Sequence, residues 1–221
     1  MRVTRLPKDP GPAGWNRLLP EPPAPEPLNG SKLADWLIIG AGFAGLAAAR
    51  RILQRQPSDR IVILEATRLG EGPPGRNSGF MIDLPHDLSS SDYSGAGEAD
   101  RVQTEDNRMA IAFAEEMAAD YGLSTEAFTL SGKINAAAGP KGARHNADYA
   151  NHLAAMGETH RILDAADMAE VTGTTYYENG LYTPGTAMIQ PALFVRGVAA
   201  GLRREGVILH ENSSVISLEK S

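Results

Sequence analysis

Residues 36–65 constrain this chain more than any other stretch. Trp36-Leu37-Ile38-Ile39 is a short apolar run with the length of a buried strand. Gly40-Ala41-Gly42-Phe43-Ala44-Gly45 follows with no spacer. The next segment, LAAARRILQRQ over 46–56, sets Leu46, Ala49, Ile52 and Leu53 three or four apart and predicts a helix. Pro57-Ser58-Asp59 stops it, Ile61-Val62-Ile63-Leu64 predicts a second buried strand, and Glu65 ends that strand. Together these make a βαβ unit. Three glycines at this spacing are a weak signal alone, but each has a physical task here. Gly40 permits the tight turn, Gly42 lets backbone approach a pyrophosphate, and Gly45 lets the helix pack close to the sheet. The phosphates would meet the N–H groups and positive dipole end of the helix. Glu65 is placed to accept hydrogen bonds from ribose hydroxyls. The expectation is a dinucleotide site, and the motif leaves flavin or nicotinamide open.

Composition narrows the partners. Lys+Arg 21 against Asp+Glu 27 gives a net charge of -6, which argues against a nucleic-acid footprint. With no cysteine, a disulfide framework, a Cys-ligated metal and a cysteine nucleophile are excluded. That fits a reducing compartment, and a cytoplasmic location is expected. No apolar run is long enough to span a membrane. The basic residues at the N-terminus have no apolar core behind them, so no secretory signal is expected.

The rest of the chain divides around the glycine unit. Residues 1–31 form a proline-rich N-terminal arm, and LPEPPAPEPLNG (19–30) excludes helix and central strand. It reads either as a disordered tail or as an arm laid on the body with Trp15 as an apolar anchor. Residues 69–80 must form a loop. A long helix is expected from about 100 to 121, on Met109, Phe113, Met117 and Tyr121, with Gly122 at its end. A strand follows over 128–137, then helices over 143–156 and 164–171, the latter with Asp164 as N-cap. Residues 181–189 read as extended with a turn at Pro184-Gly185. A helix opens at Pro191 and runs through Arg204, with strands at 207–209 and from 215 to 218. His145, His152 and His160 lack metal-ligand spacing, so a solvated helix face is expected and no metal.

Further residues carry a family resemblance. Gly72-Pro73-Pro74-Gly75-Arg76-Asn77-Ser78-Gly79 resembles the segment Gly-Ala-Ser-Gly-Arg-Asn-x-Gly that follows the second strand in one superfamily. This is the FAD-dependent D-amino-acid oxidase/glycine oxidase/sarcosine oxidase superfamily. Residues 189–219 resemble its helix–strand return to the FAD domain, and the proline-rich arm resembles the gamma-glutamylputrescine oxidase-like subgroup. Pro73-Pro74 replaces a small-residue–Ser pair, so a hydroxyl contact to a flavin phosphate is lost there.

The resemblance implies an α/β fold: a Rossmann-like FAD-binding domain interrupted by part of an antiparallel-sheet substrate domain. It assigns 32–100 and 189–221 to the FAD domain, and 101–188 to a helical segment and part of the substrate domain. Cofactor-binding residues would be Gly40, Ala41, Gly42, Phe43, Ala44, Gly45, Glu65, Ala66, Arg76, Asn77, Ser78, Gly79 and Val215. Val215 would present its backbone to the adenine, or is an ordinary core valine. Arg76 would serve flavin or phosphate charge, or simply pair with a surface acid. His86 would line the active site, or is a surface loop residue. Relatives that tether flavin do so through His or Cys near this region. Arg76 and Asn77 stand there, so FAD is expected to be noncovalent.

The implied activity is oxidation of the C–N bond of an amine or amino acid by hydride transfer to flavin. No catalytic residue is assigned. Members of the superfamily are longer than this chain, so it is expected to be the N-terminal part of a split, nicked or truncated enzyme, with a partner chain carrying the C-terminal half. Without it, Val207–Leu209 and Val215–Leu218 would expose apolar faces. The alternative is a non-catalytic FAD- or nucleotide-binding subunit of a larger complex.

Overall fold

The computed structural model describes residues 1–8, 11–85 and 97–219. In chain order they form α1 (Gly14–Arg17), β1 (Trp36–Ile39), α2 (Phe43–Arg55), β2 (Ile61–Leu64), a 3-10 turn (Pro73–Gly75), β3 (Phe80–Met81) and α3 (Gly97–Asp120). They continue with β4 (Phe128–Leu130), β5 (Lys133–Ala137), α4 (Pro140–Met156), β6 (Arg161–Leu163), α5 (Ala165–Thr172), β7 (Asn179–Thr183), β8 (Ala187–Ile189), α6 (Pro191–Arg204) and β9 (Ile208–His210). Among the described residues, no helix is long and apolar enough to cross a membrane. His86 lies outside them.

The chain folds as two compact units. One comprises Met1–Gly79, Glu116–Phe128 and Ile189–Ser221, and the other Phe80–Glu115 and Thr129–Met188. The first is built on a parallel sheet in the order β1-β2-β9. Trp36 pairs with Ile61 and Val62 with Ile208, so β2 is central. Its Ile61, Val62 and Ile63 are buried, as a strand covered on both faces requires. The crossover helix α2 starts at Phe43, three residues before its periodic apolar positions begin, because extended Gly42 serves as its N-cap.

Helix α6 takes Pro191 at its first turn, and the Gln190 side chain caps it by accepting from Leu193 N–H at 2.7 Å. Its Ala192, Val195, Val198, Ala199 and Leu202 are fully buried. Tyr121 lies over Gly201, where an added Cβ would come within 2.2 Å of the ring. The Tyr121 hydroxyl donates to Glu205 at 2.9 Å, and Arg50 pairs with Glu205 and Asp120. Burial, with Glu205 beside it, holds the Tyr121 hydroxyl above its usual pKa.

The exposed apolar faces are not all where the sequence places them. Val207 and Leu209 are buried, while Ile208 points out at 40% exposure. Alternation from Val207 into β9 turns Val207 and Leu209 inward and Ile208 outward. Residues 215–218 do not form the expected strand. They make an isolated antiparallel bridge with the N-terminus, Arg2 to Ser217, flanked by Val3 N–H to Ile216 O at 2.9 Å. Ile216 and Leu218 remain exposed there. The larger open apolar edge is β1, where Trp36, Leu37 and Ile39 are 44%, 49% and 53% exposed.

The proline-rich arm lies on the first unit. Polyproline-like backbone offers carbonyls with no internal partner, and the body supplies donors to them. Arg196 reaches Pro20 O at 2.9 Å, Arg68 reaches Pro23 O, and His210 Nδ1 lies 3.0 Å from Glu26 O. Ala13, fully buried, is the apolar anchor. Trp15 is half-buried and holds chiefly through its indole N–H.

In the second unit the antiparallel sheet runs β5-β7-β6, with Lys133 opposite Thr183 and Arg161 opposite Tyr182. Tyr149 and Leu153 of α4 form its core with Leu84 and Leu181. The expected strand over 128–137 is two strands, broken at Ser131-Gly132, where Gly132 has φ +66°. Helix α4 starts at Pro140, which suits a first turn. Asp164 caps α5 through a reciprocal capping box with Asp167. His152 is not on a solvated face: its side chain is 11% exposed and its Nε2 lies 3.1 Å from Asp100 Oδ2.

Asp83 is fully buried, and Arg108 reaches its Oδ2 at 3.2 Å while Thr186 donates to its Oδ1 at 3.3 Å. Arg108→Met removes the cation bonded to that carboxylate. We expect unfolding stability to fall by about 1–3 kcal/mol, below the full value of a buried pair because Arg108 is itself half-exposed. Chemical denaturation checks this.

Candidate cofactor site

The first unit carries a cleft of 790 Å3 over the glycine turn. Gly40, Ala41 and Gly42 line one side, Glu65, Ala66 and Thr67 another, and Ser213 and Val215 a third. The three motif glycines are needed for different reasons. Gly40 has φ +95°, a conformation that side chains disfavour. Gly42 has ordinary backbone angles, but a Cβ there would meet Pro74 Cγ at 3.0 Å. At Gly45 a Cβ would fall 2.0 Å from Gly40 O, so only glycine lets α2 lie against the turn. No side chain caps the N-terminus of α2, which leaves its first N–H groups for an anion. A dinucleotide pyrophosphate fits this cradle.

Glu65 ties the parts together. Its Oε2 accepts Ala41 N–H at 2.9 Å, and its Oε1 accepts Thr67 N–H at 3.0 Å and the Thr67 hydroxyl at 3.3 Å. A carboxylate has about four acceptor positions, so capacity remains for a ribose hydroxyl. We expect Glu65→Ala to weaken FAD binding by about 1–3 kcal/mol, the scale of a charge-assisted hydrogen bond. Titration of FAD into the variant measures it, and an unchanged dissociation constant would remove the acid from the site. Thr67 escaped sequence reasoning, although a hydroxyl two residues after an acid is a local turn signal.

Other expected residues divide. Arg76 lines the cleft, and its guanidinium donates to the carbonyls of Glu71, at 2.9 Å, and of Gly11. Among the described residues carbonyls hold it and no carboxylate does, so its charge stays available to the cleft. Asn77, Ser78 and Gly79 do not line the cleft. Asn77 Nδ2 donates to Pro74 O at 2.6 Å and Asn77 Oδ1 accepts Gly79 N–H at 2.9 Å, which shapes the loop. Phe43 and Ala44 occupy the first turn of α2, with the Phe43 ring 6.3 Å from that of Phe194. The wall made by Met1, Val3, Pro7 and Lys8 of the arm had no signal in the sequence.

The second unit has its own cavity of 830 Å3, with Phe80, Ile82, Leu84, Lys133, Asn135 and His145 in its lining. Burial pushes the Lys133 ammonium below its usual pKa, with Asp83 partly opposing this. Its Nζ lies 5.9 Å from the centroid of the Tyr149 ring. Asn135 Nδ2 is buried there with no hydrogen-bond partner among the described residues. Such a lining suits a small molecule with an anionic end. Among the described residues, no group of three His, Cys, Asp or Glu is placed to hold a metal.

Comparison with known proteins bears on this site. A "Probable oxidoreductase OrdL" from Rhizobium meliloti (strain 1021) is 28% identical over 226 residues, covering 97% of this chain and 50% of that protein. The chain spans about half the length of the curated relatives it matches. Glycine oxidase from Geobacillus kaustophilus aligns with a TM-score of 0.64 at 19% identity, over 81% of this chain and 46% of that one. L-amino acid deaminase from Proteus vulgaris aligns with a TM-score of 0.65 at 16% identity, over 85% and 42%. At these identities the two structures establish the fold. Residues 35–221 match the family model for DAO, FAD dependent oxidoreductase. That match opens one residue before β1 and leaves only the arm and the residues joining it to β1 outside: the chain belongs to the DAO family of FAD-dependent oxidoreductases.

Proposed function

We propose that this chain is the FAD-binding portion of an enzyme that oxidises the C–N bond of an amine or amino acid, with FAD held noncovalently. The observation that carries the reading is the cleft over the glycine turn, with Glu65 bridging Ala41 and Thr67. FAD supplies a hydride acceptor when bound, and the imine product hydrolyses in water. The chain's own residues bind and orient. The N–H groups opening α2 at Phe43, Ala44 and Gly45 hold the pyrophosphate, and Glu65 with Ala66 borders the ribose. Val215 borders the adenine. Arg76 adds positive charge to the cleft, and Asn77-Ser78-Gly79 set the loop beside it. The Lys133 cavity favours an amino acid over a simple amine, because a carboxylate finds a cation there.

Turnover requires a polypeptide that carries the C-terminal half. The chain spans about half the length of its relatives, and among the described residues no strand pairs with the outer, apolar edge of β1. The reading includes a cytoplasmic location, which the absence of cysteine suits.

Anaerobic addition of amines and amino acids to the flavin-loaded protein with its complement tests the reading. Amino acids should bleach the flavin absorbance. A yellow protein that nothing bleaches would instead be a non-catalytic FAD carrier. Acid precipitation should leave the flavin in the supernatant, and a yellow pellet contradicts noncovalent binding. Chain and complement should leave a sizing column together.

A further inference from the structure

We infer that the proline-rich arm is part of the cofactor site: residues 11–17 hold the loop 69–79 and so set the opening of the cleft at Gly42. Naming the ligand as FAD rests on the function proposed above. The loop matters because it abuts the glycine turn. Pro74 Cγ lies only 3.0 Å from where a Cβ on Gly42 would stand, so a shift of the loop changes the cleft there.

The loop is tied to the arm by a set of hydrogen bonds. Trp15 Nε1–H donates to Asn77 O at 2.8 Å. Asn16 Nδ2 donates to Leu69 O at 3.1 Å and to Glu71 Oε1 at 2.8 Å. Ala13 N–H donates to Glu71 Oε2, and Arg76 donates to Gly11 O. Trp15 O accepts from Gln190 Nε2 at 3.1 Å, at the N-terminus of α6, so α1 is clamped between α6 and the loop. A four-residue helix has no stability of its own, and here loop and helix order each other. Trp15 bonds the same residue, Asn77, whose side chain shapes the loop. Further along the arm, Met1, Val3, Pro7 and Lys8 line the cleft itself. Trp15 and Asn16 do not line it. They are positioning residues that act through Asn77, Leu69 and Glu71.

The test uses two variants, read by FAD titration, by melting without FAD, and by amide hydrogen exchange over residues 69–79. Trp15→Phe keeps a ring and removes the indole donor. Its FAD dissociation constant should rise about fivefold, the value of one ordinary hydrogen bond, with little change in melting temperature. Asn16→Asp sets an acceptor against Glu71 and should weaken FAD further. Adding Glu71→Gln restores a donor–acceptor pair and should recover part of the affinity, which a general loss of stability would not allow. Loop amides should exchange faster in both single variants. If FAD binds to neither the parent nor the variants, the proposed function fails, and loop exchange still decides the inference. Unchanged affinity or, where no FAD binds, unchanged loop exchange in both variants overturns it.

Discussion

Gly42→Val abolishes FAD binding and leaves the parallel sheet folded. Gly42 has φ -83° and ψ -174°, which any residue adopts, so the backbone bears the change. Its new Cβ presses Pro74 Cγ at 3.0 Å, a side-chain ring atom of a half-buried residue that need give by only a few tenths of an ångström. The remaining methyl groups have only the cleft to occupy, where the pyrophosphate must approach the backbone. A loss of at least about a hundredfold in affinity, roughly 2.7 kcal/mol, is expected with the apo melting curve nearly unmoved. FAD titration paired with thermal melting checks both halves. A variant that still binds FAD tightly would separate the glycine turn from the cofactor.

Gly45→Val fails for the opposite reason. The added Cβ falls 2.0 Å from Gly40 O, 3.1 Å from Gly40 C and 3.3 Å from Ile38 Cγ2. Two of these are backbone atoms of the turn, which cannot rotate aside, so α2 must lift from the sheet. Overpacking of this kind usually costs about 1–3 kcal/mol, and contact with backbone places Gly45→Val at or above the upper end. We expect poor folded yield and a large loss of denaturant stability in the apo protein. The two glycines, three residues apart in one motif, thus break different things.

That contrast bears on what a sequence can reveal. The βαβ unit is legible because every part of it is local: an apolar run, a turn, a period near 3.6 and a second apolar run within 30 residues. Roles that depend on a distant partner are hidden. Nothing in the sequence says that Arg196 and Arg68 satisfy the carbonyls of Pro20 and Pro23. Polyproline-like backbone has no periodic pattern to read, and its docking depends on donors far along the chain. Residues 215–218 read as a strand, yet among the described residues their backbone pairs with Met1–Val3 through one isolated bridge and its flanking bonds. The pattern reports propensity and the available neighbours decide pairing.

The site divides the same way. Gly40, Gly42, Gly45 and Glu65 were visible as a spacing. That Glu65 grips Ala41 and Thr67 was not, because it needs β2 and the turn in three dimensions. Arg76 and Asn77 were visible as residue types, but their hydrogen bonds to Glu71, Gly11 and Pro74 were not.

Amide hydrogen exchange of the chain with and without FAD tests the central claim most directly, since it reports where the cofactor lies. With FAD bound, exchange should slow at residues 42–45, 66–67 and 213–215, with β5, β6 and β7 unchanged. Protection that spares the glycine turn, or that appears only in the β5-β7-β6 sheet, would contradict it.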